Sequence, residues 1–327
     1  MRALIIGGYG FVGRHLAQHL VSCGDDVAVT YLPEKSIQAG MGDSRPSDNR
    51  VAIPNAAQTM ALDITDQKDV SQLLALLKPD AVYHLAAIAH ITEAEKAGEE
   101  LFRVNTLAAS TVMDALVQHS KDTRFLFVSS AEVYGEPKPG GLPLTELSEL
   151  RPISAYGVSK AAADLAAYKY HYRDKLHTVR IRPFPHIGPG QSETFAISGF
   201  AKQIAEIKLG KAKPVVKVGN LEAKRDYTDV LDIVRGYRDA VLNGKPGDVY
   251  NLCSGESISI GDALKLLVKL AGVEVEIVED AERVRPVDIT DLFGSYQKAQ
   301  RDFGWRPRVE REASLDSLLA YWLEALS

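Results

Sequence analysis

Tyr156-Gly157-Val158-Ser159-Lys160 places a phenol and an ammonium four residues apart. On a helix that spacing sets both groups on one face, one turn apart. A lysine cation stabilises phenolate, so the pairing predicts a phenol drawn down from its ordinary value of about 10 towards neutrality. Tyr156 is then an acid–base candidate for a hydroxyl or carbonyl oxygen. The same spacing also occurs on plain amphipathic helices. What sharpens it is Ser129-Ser130, which ends the apolar run Arg124–Val128. α/β sheets hold ligands at the carboxyl ends of their strands, where the Ser130 hydroxyl can bond the same substrate oxygen as Tyr156.

A second constellation opens the chain. Ala3-Leu4-Ile5-Ile6 reads as a strand buried on both faces, and Gly7, Gly10 and Gly13 follow in a G-x-x-G-x-x-G spacing. Gly7 allows a tight turn, Gly10 lets a pyrophosphate approach the backbone, and Gly13 lets a helix pack close to the sheet. The helix beginning at Phe11 points its free N–H groups at the phosphates. Glycine spacing alone is weak, but between a strand and an amphipathic helix (Phe11, Val12, Leu16, Leu20) it points to a dinucleotide. A glucose-like hydroxyl and a nicotinamide ring would both suit the serine–tyrosine–lysine site.

The elements that must position these groups alternate. Strands are predicted at Val27–Tyr31, Met60–Asp63, Ala81–Ala87, Arg124–Ser129 and Thr178–Arg182. Helices are predicted at Phe11–Cys23, Val70–Leu77, Glu93–Gln118 (as one long helix) and Ser154–Arg173. Leu32–Thr59 is polar and reads as a long, mobile excursion. Asp63 either meets an adenine amino group or caps the next helix. This alternation predicts an α/β fold, a Rossmann-type doubly wound parallel sheet with a smaller mixed α/β substrate domain. Residues 1–183 would form the dinucleotide-binding domain and 184–327 the substrate domain, with 229–252 returning to the first. Helices are expected at Phe195–Leu209, Val230–Leu242 and Ile260–Leu270, and two more at the end of the chain. A net charge of −5 gives no basic footprint for nucleic acid. The two cysteines, Cys23 and Cys253, form no zinc pattern and fit a reducing cytoplasm. The first residues read as a core strand, so no cleavable leader is expected, and no apolar run is long enough to span a membrane.

Together the glycine turn, the strand-end serine and the Tyr-Lys pair resemble the extended branch of the short-chain dehydrogenase/reductase superfamily, also called the NAD-dependent epimerase/dehydratase family. The resemblance covers nearly the whole chain. It implies catalysis by Ser130, Tyr156 and Lys160, with Glu132 beside them. It implies NADP(H) or NAD(H) contacts at Gly7, Gly10, Phe11, Val12, Gly13, Asp63, Ile64, Leu85, Ala86, Ala87, Asn105, Ser129, Tyr156, Lys160 and Pro183. Phe200–Ile204, Val218–Asp226 and Arg285–Asp288 are similar to GDP-hexose-binding segments of GDP-mannose 4,6-dehydratases and GDP-4-keto-6-deoxymannose reductases. That match implies substrate contacts from Ser130, Glu132, His186, Lys202, Arg225, Arg285 and Asp288. The basic groups suit a diphosphate or guanosine, and Asp288 suits the ribose hydroxyls.

His186–Gln191 and Thr228–Ile233 look more like the reductases. Pro185 stands where the family usually has Asn, and removes an amide and a backbone donor. Ala131 follows the catalytic Ser130, where many dehydratases carry a polar or acidic group. The resemblance implies reduction of the C4 ketone of GDP-4-keto-6-deoxy-D-mannose to a GDP-6-deoxyhexose such as GDP-D-rhamnose. A GDP-mannose 4,6-dehydratase, a related nucleotide-sugar epimerase and, more remotely, a non-catalytic nucleotide sensor are the other readings. The second strand ends in Thr30-Tyr31-Leu32 without a carboxylate, and Lys35, Arg45 and Arg50 follow. Acceptance of NADPH, beside NADH, is therefore expected. The resemblance further implies a homodimer packed through Glu93–Gln118 and Ser154–Arg173.

Overall fold

The computed structural model describes residues 1–33, 51–283 and 289–327. Its first strand, β1 (Arg2–Ile6), explains the sheet. Ala3 and Ile5 enter one apolar cluster, Leu4 and Ile6 the other, so both faces are covered by helices. In order come α1 (Phe11–Ser22), β2 (Asp26–Tyr31), β3 (Gln58–Ala61), α2 (Gln67–Leu77), β4 (Ala81–His84), α3 (Ile91–Ala97), α4 (Glu99–Phe102), α5 (Ala108–His119) and β5 (Arg124–Val128). Then follow α6 (Ala155–Asp174), β6 (His177–Pro183), β7 (His186–Ile187), α7 (Ala196–Lys208), β8 (Val215–Val218), β9 (Lys224–Arg225), β10 (Thr228–Asp229), α8 (Val230–Asn243) and β11 (Val249–Leu252). The chain closes with β12 (Ile258–Ser259), α9 (Ile260–Ala271), β13 (Glu276–Glu279), β14 (Asp291–Leu292), α10 (Gln297–Phe303) and α11 (Arg311–Leu326).

Seven strands form one parallel sheet, ordered β11-β6-β5-β4-β1-β2-β3. Strand order reverses between β1 and β4, the place where such sheets open a ligand crevice. α1 and α8 cover one face, where Trp305 is fully buried, and α2, α5 and α6 cover the other. A second body packs α7, α9 and α11 around Phe200, Ile204, Leu264 and Leu318. The parallel pair β8–β13 and the three-stranded set β12-β9-β14 lie in that C-terminal part of the chain.

Three expectations are corrected. The long helix over Glu93–Gln118 is broken, because Gly98 turns at φ +56 between α3 and α4 and a π-helical turn, Arg103–Leu107, precedes α5. β4 stops at His84, since the N–H groups of Leu85 and Ala86 both donate to the Ile6 carbonyl (2.9 and 3.0 Å). Asp63 does not cap α2. Its Oδ1 accepts from the Thr65 amide and hydroxyl, and Asp66 caps the helix through the Lys68 and Asp69 amides. The expected excursion is described only in part: residues 34–50, with Lys35, Arg45 and Arg50, lie outside the described residues.

Candidate active site

The turn between β1 and α1 is a cradle that side chains would fill. Gly7 lies at φ +86, and a Cβ there would sit 2.8 Å from the Ala86 amide nitrogen. A Cβ on Gly13 would meet the Gly7 carbonyl oxygen at 2.5 Å, so the helix can approach only because none is present. A Cβ on Gly10 would meet only the Gly7 oxygen, at 3.4 Å, which leaves its outer side open. Thr30 at the end of β2 stitches the turn, its hydroxyl accepting from Gly7 N and its carbonyl from Gly8 N. The open backbone where α1 begins, at Gly10 and Phe11, fits a dinucleotide pyrophosphate.

Across the crevice, Leu85, Ala86 and Ala87 are half-buried at the end of β4. Asn105 is buried in the π-helical turn, and its amide is committed within the protein. Oδ1 accepts from Ile88 N, while Nδ2 donates to Ile88 O and to the Ser159 hydroxyl. It therefore ties the segment after β4 to α6. Pro183 is buried where β6 pairs with β11, and Ser129 is buried where β5 ends.

Ser130 follows β5 and starts a short 3-10 turn, Ala131–Val133, its hydroxyl accepting from the Glu132 amide at 3.1 Å. α6 starts at the Ser154 cap, whose hydroxyl accepts from Gly157 N. Gly157 lets α6 press on that turn, since a Cβ there would lie 2.7 Å from the Glu132 carbonyl oxygen. Ser130 is thereby brought to Tyr156, its hydroxyl favouring the phenolate form. Burial outweighs that influence and pushes Tyr156 up to about 12, with Glu132 adding to the rise. This corrects the expected direction. Desolvation also brings Lys160 down to about 7, while Asp164 opposes the fall. The Lys160 ammonium lies 4.6 Å from the Phe127 ring centroid and is 2% exposed.

Sequence reasoning missed the groups behind this pair. His84 is buried against Phe125 and Phe127, and burial together with Lys160 holds its imidazole neutral, at about 3. Asp164 lies four residues beyond Lys160, which was the available signal, but its partners come from β6. Arg182 holds it with two bonds (2.9 and 3.1 Å) and Arg180 with one (2.9 Å). Arg182 also donates to Tyr134 Oη, which donates to Asn251.

The expected substrate residues are dispersed. His186 stacks on Phe11 (6.1 Å, 13°), beside the glycine turn, and its Nδ1 donates to the Phe184 carbonyl. Lys202 pairs with Glu193 and lies over Trp322. Arg225 is buried at β9, donating to the carbonyls of Lys224 and Ile289. Arg285 and Asp288 lie outside the described residues. Pro185 faces partly to solvent, and its carbonyl accepts from Thr228 N.

The sequence profile of the GDP-mannose 4,6 dehydratase family matches residues 4–318. The chain belongs to that family. It is thus an enzyme of the extended short-chain dehydrogenase/reductase group, the NAD-dependent epimerases and dehydratases. GDP-6-deoxy-D-mannose reductase of Pseudomonas aeruginosa is 30% identical over 321 residues, covering 98% of this chain and 97% of that one. A solved structure of RMD from Pseudomonas aeruginosa complexed with NADPH matches with a TM-score of 0.84 at 29% identity over 100% of both chains. UDP-glucose 4-epimerase of Thermotoga maritima shares the fold, at TM-score 0.88 and 24% identity over 100% of both chains. That Pseudomonas aeruginosa structure holds NADPH, and the glycine cradle here has the open backbone that a dinucleotide pyrophosphate needs.

Proposed function

We propose that the protein reduces the C4 ketone of GDP-4-keto-6-deoxy-D-mannose to a GDP-6-deoxyhexose, with GDP-D-rhamnose as the expected product. The observation that carries this reading is the composition of the strand-end site. Ser130, Tyr156 and Lys160 supply what a ketone reduction needs from the protein, and the residue after Ser130 is the buried, apolar Ala131. Ser130 orients the carbonyl oxygen by hydrogen bonding. Tyr156, kept protonated by its surroundings, donates the proton that the C4 oxygen takes up. Lys160 stabilises the phenolate left behind. A bound nicotinamide would supply the hydride. The full-length similarity to a GDP-6-deoxy-D-mannose reductase supports the same substrate.

NADPH is the proposed reductant, beside NADH. β2 ends at Tyr31, packed 5.3 Å from Tyr9, with no carboxylate to repel a 2′-phosphate in the described part of that segment. Side-by-side steady-state kinetics test this, and strict NADH dependence would refute it. Among the described residues, no helix is long and apolar enough to cross a membrane. A homodimer is proposed through α6, whose outer stripe carries Val158, Leu165, Tyr168 and Tyr172, with Phe102 and Leu107 exposed on the neighbouring segment.

The dehydratase reading has one observation in its favour: Glu132 lies close enough to Tyr156 to affect its ionisation. Elimination of water across C5 and C6 needs both an acid and a base, and Ala131 supplies neither. Two incubations decide between the readings. The 4-keto sugar nucleotide with NADPH should consume one reduced cofactor per sugar converted, followed by absorbance. GDP-mannose with catalytic NADP should give no 4-keto-6-deoxy product by NMR. Appearance of that product over many turnovers would overturn the reductase reading.

A further inference from the structure

We propose that α3 is a brace between the second body and the catalytic helix, with His90 and Glu95 as positioning residues that hold Tyr156 in place. The brace rests on the oxidoreductase reading above, from which the role of Tyr156 comes. Tyr156 is the second residue of α6. It stands in the first turn, where a helix frays because its leading N–H groups have no partner inside it. Lys160 lies a full turn deeper. Two of the leading N–H groups are held by side chains. Gly157 N donates to the Ser154 hydroxyl (3.0 Å), and Ala155 N donates to Glu95 Oε1 (2.7 Å). The Ser154 cap is local and moves with the helix. Glu95 lies 60 residues earlier, on α3, so its bond fixes the start of α6 to another element. Its negative charge also suits the positive end of a 20-residue helix.

α3 has seven residues, too few to hold a position by itself. Its carboxyl end is released at Gly98, where φ is +56. Its amino end is tied down at His90, whose carbonyl starts the helix by accepting from Ala94 N (2.9 Å). The His90 ring reaches the segment that opens α7. Nε2 donates to the Thr194 carbonyl (3.2 Å), and the ring meets Phe195 edge to face (5.6 Å, 86°). Phe195 in turn starts α7, its carbonyl accepting from Gly199 N (2.8 Å). A line of contacts therefore runs from α7 through His90, just over one turn of α3 and Glu95 to Ala155, the residue before Tyr156. Among the described residues, His90 makes no hydrogen bond or ring contact with α6. Any effect of His90 on Tyr156 is thus a transmitted one. Freeing either end of α3 should loosen the first turn of α6 and leave the rest of that helix unchanged.

Amide hydrogen exchange, followed by mass spectrometry on the protein without ligands, tests the brace. His90→Ala should speed exchange across residues 155–158 at least about threefold and leave residues 163–170 unchanged. Glu95→Ala should do the same, and the double variant should exchange no faster than Glu95→Ala, because both ends act through one line. His90→Gln, whose amide can donate to the Thr194 carbonyl, should restore most of the protection. Unchanged exchange at 155–158 in His90→Ala, or effects that multiply in the double variant, overturns the proposal. If His90→Ala does not fold, His90→Phe decides alone, since it keeps a ring against Phe195 and loses the bond to Thr194. Faster exchange in that first turn supports the brace, and unmoved exchange overturns it. Steady-state kinetics separate a brace from a substrate contact. His90→Ala should lower kcat about three- to tenfold, with KM for the 4-keto sugar nucleotide and NADPH affinity little changed. A raised KM with kcat intact would make His90 a substrate contact and overturn the proposal. A protein that turns over no nucleotide sugar would remove the reductase reading and leave the exchange measurement to decide.

Discussion

Tyr156 is loaded as an acid. Burial raises its phenol to about 12, so it stays protonated across the neutral range and can give a proton to a ketone oxygen. Tyr156→Phe keeps the ring and removes the proton. The turnover rate should fall by about two to four orders of magnitude with cofactor affinity little changed, as stopped assays and cofactor titration will show. Lys160 sets the pH dependence. Its folded-state value is depressed to about 7, so the cation is present below that pH and lost as pH rises through it. In the free enzyme, kcat/KM for ketone reduction should therefore fall about tenfold per pH unit above about 7. A flat profile up to about pH 9 would contradict the role given to Lys160. The Tyr-Lys spacing and the strand-end Ser130 were legible because local periodicity fixes them. The direction of the phenol's shift was not, because it depends on how much of the molecule closes over the helix. Asp164 could be placed on the right face of α6, but its arginines lie 16 and 18 residues further on and reach it only when β6 docks.

At the scale of elements, two glycines matter for different reasons. Gly98 takes φ +56 with open space around it, and its work is to break what apolar periodicity alone reads as one helix. Gly157 is helical, and its value lies in what it lets α6 touch. Gly157→Ala puts a methyl 2.7 Å from the Glu132 carbonyl oxygen and must lift the start of α6 from the Ser130 turn. The rate should drop at least about tenfold through misplacement of Tyr156 against Ser130, while circular dichroism stays native. A variant with full activity would show that the contact yields without moving the site. The strand–helix alternation was readable from the sequence, with boundaries within a few residues. Helix termination at Gly98 and the π-helical turn were not, since backbone torsion leaves only a weak mark on residue type.

Across the whole molecule, the apolar stripe of α6 faces outward. Tyr172 is 70% exposed and Leu165 55%, on a helix whose other side forms the site. Replacing both by Glu should convert a proposed dimer into monomers in sedimentation velocity, with NADPH binding retained. An unchanged sedimentation coefficient would move the interface elsewhere. The parallel order of the sheet followed from alternation, but the pairing within the small C-terminal sheets did not. Their strands are two to four residues long and are paired by distant segments, as β9 is with β12 and β14.

One feature of the sheet bears on how the protein is made. β6 forms one side of the sheet until β11 pairs with it, and β11 is residues 249–252. Trp305, which fills the core under α8 and donates its indole N–H to the Asp232 carbonyl, comes later still. The Asp232 carboxylate then receives the amides of Arg308 and Val309. The N-terminal half therefore cannot finish folding as it leaves the ribosome. It must wait, with the edge of β6 unpaired, for roughly the last third of the chain to be synthesised. Chains stalled so that only residues up to 252 have cleared the exit tunnel should remain sensitive to protease within α8, and chains in which residue 310 has cleared it should be protected there. Synthesis order, rather than domain order, sets when the crevice first exists.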